Sequence, residues 1–145
     1  MASQPEQGPT AGLTAHLTIA QGGTASDAIA FYTAAFGAVE QVRMAAEDGK
    51  RLMHAHLMIN GGSLMLNDDF PEYHGPADVG SGPPSGVALH LQVDDARAWF
   101  ARAVAAGAVV AMPLEDMFWG DRYGQMADPF GYRWAIGCPI KEEGQ

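Results

Sequence analysis

Hydrophobic and polar residues alternate in two short segments, one in each half of the chain. In residues 13–20 the side chains of Leu17 and Ile19 fall on one side and that of His16 on the other. Residues 87–93 repeat this alternation, with four aliphatic side chains facing one way. A period of two is typical of a strand with one buried face. Each segment therefore predicts a β-strand.

An Ala-rich segment with helical spacing follows each predicted strand, and helix-end signals bound both segments. The side chains of a capping box accept hydrogen bonds from the first free amides of a helix, and glycine supplies the positive φ of a C-terminal cap. The predicted signals are, in chain order, Thr24 with Asp27, Gly37, Asp94 or Asp95, and Gly107. These signals predict helices that end near Phe36 and Ala106.

Three further strand-like segments follow each predicted helix. They are residues 38–45, 51–59 and 63–67 in the first half, and 109–112, 123–127 and 133–137 in the second. Asn60 and Gly61 predict a tight hairpin because both tolerate positive φ, and residues 128–131 predict a turn around Pro129. Each half therefore has the order βαβββ.

The two halves also match in sequence at a constant offset of 70. Residues 28–39 then fall on residues 98–109 with five of twelve positions identical, and Gly61 falls on Gly131. The same offset sets residues 64–66 on 134–136. An offset kept through a helix and a later hairpin indicates a duplicated unit, and two copies are too few for a solenoid.

The chain has the length of one domain with a substantial core. We expect residues 1–12 to be a flexible leader and residues 13–145 to be the single domain, with the first unit at 13–67 and the second at 86–140. Residues 68–85, rich in proline and glycine, are the predicted linker. The linker could also fold over a pocket as a lid.

The charge and cysteine content exclude some functional classes. A formal net charge of −9 argues against nucleic acid and anionic membranes as partners. No apolar run approaches the roughly 20 residues that span a bilayer. Cys138 is the single cysteine, so an internal disulfide cannot form and a cytoplasmic location fits best. We expect Cys138 to be a packing residue rather than a nucleophile.

Several short sequence motifs resemble those of a known protein family. They are residues 28–32 with 36–38, residues 93–95 with 103–108, and residues 118–124 with 128–134. These motifs and the duplicated unit resemble those of the vicinal-oxygen-chelate superfamily, which includes glyoxalases, bleomycin-resistance proteins and dioxygenases. The last pair is similar to the PhnB-like or predicted glyoxalase-related group. The resemblance extends over residues 13–137.

The resemblance implies an α+β fold in which two tandem βαβββ units form an eight-stranded, open, U-shaped mixed sheet around a cavity. Members commonly dimerise, so we expect a homodimer that binds a small molecule. A reaction does not follow from the fold, because related members isomerise, epimerise, open rings, transfer thiols or sequester drugs.

Four ligand positions for a divalent metal are also implied by the resemblance. They fall at Thr14 or His16, near Met65, at Ala88 and at Ala135. Only His16 offers a suitable donor there. We therefore predict that the usual metal site is absent, and we predict no cofactor.

A rearranged metal site is an alternative. His16, His56 and His90 could point into the cavity, with Glu115 or Asp121 as an oxygen donor. The same histidines could instead be pocket hydrogen-bonding groups or half-buried strand residues.

A second cluster of candidate residues is Trp119, Asp121, Arg122 and Tyr123. Arg122 could pair with an anionic ligand group while an aromatic ring stacks on an apolar one. Alternatively, an Asp121–Arg122 ion pair fixes a loop and Trp119 fills the core. With the three histidines, these residues form the predicted ligand pocket.

Two nearby features predict no catalytic residue. Glu115 and Asp116 are expected to be solvated loop carboxylates rather than an acid–base pair. The related group tends to have histidine where this chain has Tyr132, so no general base carries over.

Three functions remain open from the sequence. The first is a small-molecule-binding protein, of unknown reaction, that lacks the usual metal ligands. The second is a metal-dependent lyase, isomerase or dioxygenase with a rearranged histidine site. The third is a non-catalytic drug-sequestering protein, whose acidity would suit a cationic ligand.

Overall fold

The computed structural model describes residues 8–74 and 82–141 and confirms the duplicated unit. The first unit contains β1 (Ala15–Ile19), α1 (Ala25–Phe36), β2 (Val39–Ala45), β3 (Leu52–Ile59) and β4 (Gly62–Asp68). The second contains β5 (Leu89–Gln92), α2 (Ala96–Ala106), β6 (Val109–Asp116), β7 (Asp121–Ala127) and β8 (Arg133–Pro139). Residues 1–7 of the predicted leader, residues 75–81 of the predicted linker and residues 142–145 lie outside the described residues.

Helix limits follow the capping signals in the sequence. The Thr24 hydroxyl accepts from the Asp27 amide at 3.1 Å, and the Asp27 carboxylate accepts from the Thr24 amide at 2.9 Å. Gly37 ends α1 in the left-handed conformation. Asp95, the second of the two predicted candidates, caps α2 by accepting from the Ala98 amide at 3.1 Å. None of the described helices is long and apolar enough to cross a membrane.

The eight strands hydrogen-bond as two mixed sheets of four. The orders are β1-β4-β3-β2 and β5-β8-β7-β6. The pairs β1–β4 and β5–β8 are parallel and the other pairs are antiparallel. The sheets are tied together where the Asn60 amide donates to the Gln92 carbonyl at 2.8 Å and the Tyr132 hydroxyl donates to the Thr18 carbonyl at 2.7 Å. The α+β tandem fold is confirmed.

The core lies on the face of each sheet that the helices cover. Alternating residues of β1, β3 and β4 are buried beneath α1, and Trp134 and Ile136 of β8 are buried in the second unit. Tyr32 and Phe36 of α1 are fully buried, and the Phe36 ring centre lies 4.6 Å from that of Trp134. This aromatic contact joins the two units. Each helix packs on one face of the sheet of its own unit, and we call the opposite face of each sheet its open face.

Strand β6 is longer than predicted. The sequence predicts a strand that ends at Met112, whereas the observed strand continues to Asp116. Pro113 is tolerated because β6 is an outer strand and its register with β7 shifts on both sides of Met112. The prediction that Glu115 and Asp116 lie in a loop is therefore wrong: they pair with β7.

Asp128, in the predicted turn between β7 and β8, connects that turn to α1. It is buried, and its Oδ1 accepts from the amides of Phe130 and Tyr132, each at 2.9 Å. Its Oδ2 accepts from the Tyr32 hydroxyl at 2.6 Å and from the Trp134 indole at 2.9 Å. A buried carboxylate with four donors is satisfied and holds the units in one relative position.

Candidate functional site

His16 and His90 occupy equivalent positions in the two sheets. On the parallel β1–β4 pair His16 lies opposite Met65, and on the parallel β5–β8 pair His90 lies opposite Ala135. Taking His16 as the first ligand position makes His90, rather than Ala88, its counterpart in the second unit, because Ala88 precedes β5. The loop before α1 (residues 20–24) is longer than the loop before α2 (residues 93–95). The strands that precede the two helices are therefore not related by the 70-residue offset that relates the helices.

The four positions implied by the resemblance are His16, Met65, His90 and Ala135 when His16 is taken as the first. They carry two imidazoles, the thioether of Met65 and the methyl group of Ala135. Zinc, iron and similar ions take three or more nitrogen, oxygen or thiolate ligands. Within residues 8–74 and 82–141, no group of three His, Cys, Asp or Glu side chains could hold a metal ion. His16, His56 and His90 do not form such a group.

The open face of the first sheet is rich in histidine and methionine. Its members alternate with the buried residues of the strands or lie in register beside them: His16, Met44, His54, His56, Met58 and Met65. The rings of His16 and His54 meet edge to face with centres 6.4 Å apart. Partial burial and the neighbouring His54 lower the pKa of His16. His56 is buried, with its Nε2 2.9 Å from the Ser63 hydroxyl.

The open face of the second sheet carries a row of three aromatic rings, which we call the aromatic row: Trp119, Tyr123 and His90. The indole of Trp119 meets the Tyr123 ring edge to face at 5.9 Å, and His90 stacks on Tyr123 at 5.8 Å. Trp119 is 52% exposed, so it does not fill the core. The predicted residues Trp119, Tyr123 and His90 are therefore brought together on one surface.

A chain of hydrogen bonds beneath the aromatic row fixes the direction of the Tyr123 hydroxyl. Arg133 donates to the Gln125 amide oxygen at 3.0 Å, and the Gln125 amide nitrogen donates to the Tyr123 oxygen at 2.9 Å. A guanidinium only donates, so it sets which end of the Gln125 amide faces Tyr123. The Tyr123 hydroxyl accepts here and keeps its own proton for another partner.

Gln125 and Arg133 are functional candidates that the sequence did not reveal. The spacing of Tyr123 and Gln125, two residues apart on one strand, places them on one face. That signal is available from the sequence, whereas the contact of Arg133 with Gln125 depends on the β7–β8 register.

Arg122 lies on the other face of the second sheet. Adjacent strand residues point to opposite faces, so Arg122 is separated from Tyr123. Its guanidinium pairs with Asp116 at 2.6 Å, which raises the pKa of Arg122 and lowers that of Asp116. Asp121 instead accepts from the Trp119 indole at 3.2 Å. The Asp121–Arg122 ion pair, one of the two alternatives for this cluster, is therefore replaced by these two contacts.

A groove of about 420 Å³ runs between the two sheets beside the aromatic row. Ala15 and Ser63 line it from the first sheet, and His90 and Gln92 line it from the second. The Gln92 side-chain oxygen lies 2.7 Å from Nε2 of His90. The groove has the size of a small-molecule site and is continuous with one end of the row through His90.

A second groove of about 580 Å³ lies between the β2–β3 turn and the start of the linker. Arg51 pairs with Glu72 at 2.7 Å and lies over the Phe70 ring at 4.2 Å, which holds the linker against the first sheet. Met53 and Tyr73 also line this groove. None of the predicted pocket residues takes part in it.

Comparison with known protein families agrees with this architecture. Residues 14–136 match the model of the Glyoxalase/Bleomycin resistance protein/Dioxygenase superfamily. The chain belongs to this superfamily. An uncharacterised protein of Mycobacterium bovis, Mb0911c, is 48% identical over 135 residues, which cover 90% of this chain and 84% of that protein.

Two solved structures share the fold of the chain. A PhnB protein from Bacillus cereus is 20% identical with a TM-score of 0.65, and the match covers 87% of this chain and 98% of that one. TnmS3, an antibiotic binding protein from Streptomyces sp. CB03234, is 22% identical with a TM-score of 0.57, covering 97% and 99%. At these identities the likeness establishes a common fold.

Proposed function

We propose that this protein binds a planar aromatic small molecule on the open face of its second sheet, without the superfamily's usual divalent metal. The observation that carries the proposal is the aromatic row, in which the Trp119 ring is half exposed. An exposed ring held by its neighbours provides a stacking surface at little entropic cost. Asp121 holds the indole in place through its Nε1 hydrogen bond.

The polar groups beside the row define the ligand further. Glu115 lies opposite Tyr123 in the β6–β7 register, and Asp121 contacts Trp119, so two carboxylates border the rings. Aromatic faces and carboxylates together favour a positively charged ring system. The available Tyr123 proton favours a carbonyl or another acceptor on the same ligand. The formal net charge of −9 also favours a cationic ligand over an anionic one.

Binding without turnover, as in drug sequestration, is the simplest form of this function. The fold is shared with TnmS3, which binds an antibiotic, and the row requires no metal or cofactor to stack a ligand. We also propose that the protein acts in the cytoplasm, since its single thiol, Cys138, is buried and unpaired by a disulfide.

A homodimer completes the proposal. Strand β6 forms the outer edge of the second sheet and exposes Val109 and Val110, which are 67% and 43% accessible. Apolar side chains on an unpaired edge strand favour pairing with another chain. The aromatic row follows β6 directly, so such an interface would lie close to the ligand.

The test is a fluorescence titration with 9-aminoacridine, a planar aromatic cation, and with an anionic naphthalene sulfonate for comparison. We expect the cation to quench tryptophan emission saturably, and Trp119→Ala to weaken binding roughly tenfold, the scale of one desolvated stacking contact. Trp99→Phe, on α2, is the matched control and should bind normally. Equal affinity in the Trp119→Ala variant, or preference for the sulfonate, would contradict the proposal.

A further inference from the structure

We propose that the open face of the first sheet binds one soft monovalent cation, such as Cu(I), between the imidazoles of His16 and His54 and the thioether of Met65. This site is on a different sheet from the aromatic row and does not depend on the proposed ligand.

Strand order and register place the three donors together. Strand β4 lies between β1 and β3, so Met65 is flanked by His16 on one side and by His56 on the other, and His54 lies two residues from His56 on the same face. All three side chains leave the sheet on the face away from α1, because their strand neighbours Leu17, Ala55 and Leu64 are in the core.

The spacing of the two rings suits a shared ion. Two imidazoles that bind one metal through bonds of about 2.0 Å have ring centres roughly 5 to 6 Å apart. The centres of His16 and His54 lie 6.4 Å apart in an edge-to-face arrangement. Closing this difference requires a change in a side-chain torsion of His16 or His54.

The donor types select the ion. Thioethers are soft ligands that favour Cu(I), whereas zinc, magnesium and calcium prefer imidazole, thiolate or oxygen. Two further thioethers, Met44 and Met58, lie on the same face and provide a soft surrounding.

The second sheet contains a built-in comparison. His90 has the position of His16, but its neighbour on β8 is Ala135 instead of a methionine. Its ring stacks on Tyr123 rather than facing another histidine. The second sheet therefore lacks both partners of the proposed cation.

The experiment uses Ag(I) as a redox-inert probe and Cu(I) in competition with a chromogenic chelator, in chloride-free buffer. It is done in a Cys138→Ala background, because the buried thiol of Cys138 is another soft donor. We expect one Ag(I) per chain by native mass spectrometry, a shift of the Met65 methyl resonance in NMR spectra, and much weaker binding of Zn(II).

The variants separate this site from general binding. Met65→Leu preserves side-chain volume and His16 is exposed, so both Met65→Leu and His16→Ala should fold. Each should weaken Ag(I) binding by more than roughly tenfold. Loss of a group that only hydrogen-bonds a metal ligand already costs about tenfold in affinity, and loss of a ligand itself should cost more. Met112→Leu and His90→Ala are the matched controls and should bind like the parent.

Three results would overturn the inference. They are the absence of stoichiometric Ag(I) binding, unchanged affinity in Met65→Leu, and Zn(II) affinity equal to that for Ag(I). Any of them would leave the proposed aromatic ligand unaffected, because the aromatic row lies on the other sheet.

Discussion

His16 and His90 have the same place in the two halves of the molecule, yet their neighbours give them different chemistry. His16 pairs with Met65 and faces His54, whereas His90 pairs with Ala135 and stacks on Tyr123. The duplication therefore produced one face rich in soft donors and one face rich in aromatic rings. Among residues 8–74 and 82–141, neither face brings together three His, Cys, Asp or Glu side chains that could hold a metal ion.

Removing the Asp128 carboxylate should destabilise the whole domain. Asp128→Ala leaves the Tyr32 hydroxyl, the Trp134 indole and two amides without their acceptor. Since each unsatisfied buried group costs about 1–3 kcal/mol, we expect the free energy of unfolding to fall by about 3 kcal/mol or more. Chemical denaturation measures this loss, and the exposed Asp94→Ala should change stability by less than about 0.5 kcal/mol. A similar loss in both variants would contradict the role of Asp128.

Alkaline pH should weaken the contact between Tyr32 and Asp128. Burial, and then the Asp128 carboxylate, raise the pKa of Tyr32 far above its ordinary value of about 10. A raised pKa in the folded state means that this contribution is complete below about pH 10 and is lost as the pH rises further.

The matching measurement compares the parent with Tyr32→Phe from pH 8 to 11. Their difference in unfolding free energy should be constant up to about pH 10 and then shrink by up to about 1.4 kcal/mol per pH unit. Tyr132 is present in both proteins, so its own ionisation cancels. A difference that stays constant or grows above pH 10 would show that the pKa of Tyr32 is not raised in the folded protein.

Changing β6 should disrupt the proposed homodimer. Val109→Lys places a charge on the most exposed apolar side chain of this edge strand. By light scattering we expect about twice the chain mass of 15.3 kDa for the parent and a monomer for the variant. Val39→Lys makes the same change on β2, the edge of the other sheet, and should stay dimeric. A monomeric parent would exclude this interface.

Replacing Gln125 should weaken the binding of ligands that accept a hydrogen bond from Tyr123. Without the Gln125 amide, the Tyr123 hydroxyl is free to rotate and its proton is no longer directed to the ligand. Gln125→Leu and Tyr123→Phe should weaken binding of acridone, which has a carbonyl, by roughly tenfold, and leave 9-aminoacridine nearly unchanged. Calorimetric titration distinguishes the two, and equal losses for both ligands would indicate a general packing defect.

The sequence was sufficient for most of the fold, because the signals that define it are local. The capping box at Thr24 begins α1 where predicted, and Asn60 takes the positive φ that its hairpin requires. The alternation in β1 correctly separates Leu17 and Ile19 from His16.

Features that depend on contacts between strands were not predictable. The equivalence of His90 and His16 follows from the pairing of β5 with β8. The 70-residue offset of the helices does not show it, because the loop before α1 is longer than the loop before α2. By contrast, the separation of Arg122 from Tyr123 follows from alternation along a single strand and was available from the sequence. The contacts of Asp128 with Tyr32 join positions 96 residues apart, so local patterns do not contain them.

The central claim is that a small aromatic molecule binds on the aromatic row, and the side-chain N–H signals of the three tryptophans test it directly. In a two-dimensional NMR titration with 9-aminoacridine, we expect the Trp119 signal to move saturably with the largest shift. The signals of Trp134, buried beside Asp128, and of Trp99 on α2 should barely change. A Trp119 signal that stays in place while the ligand binds would contradict the account.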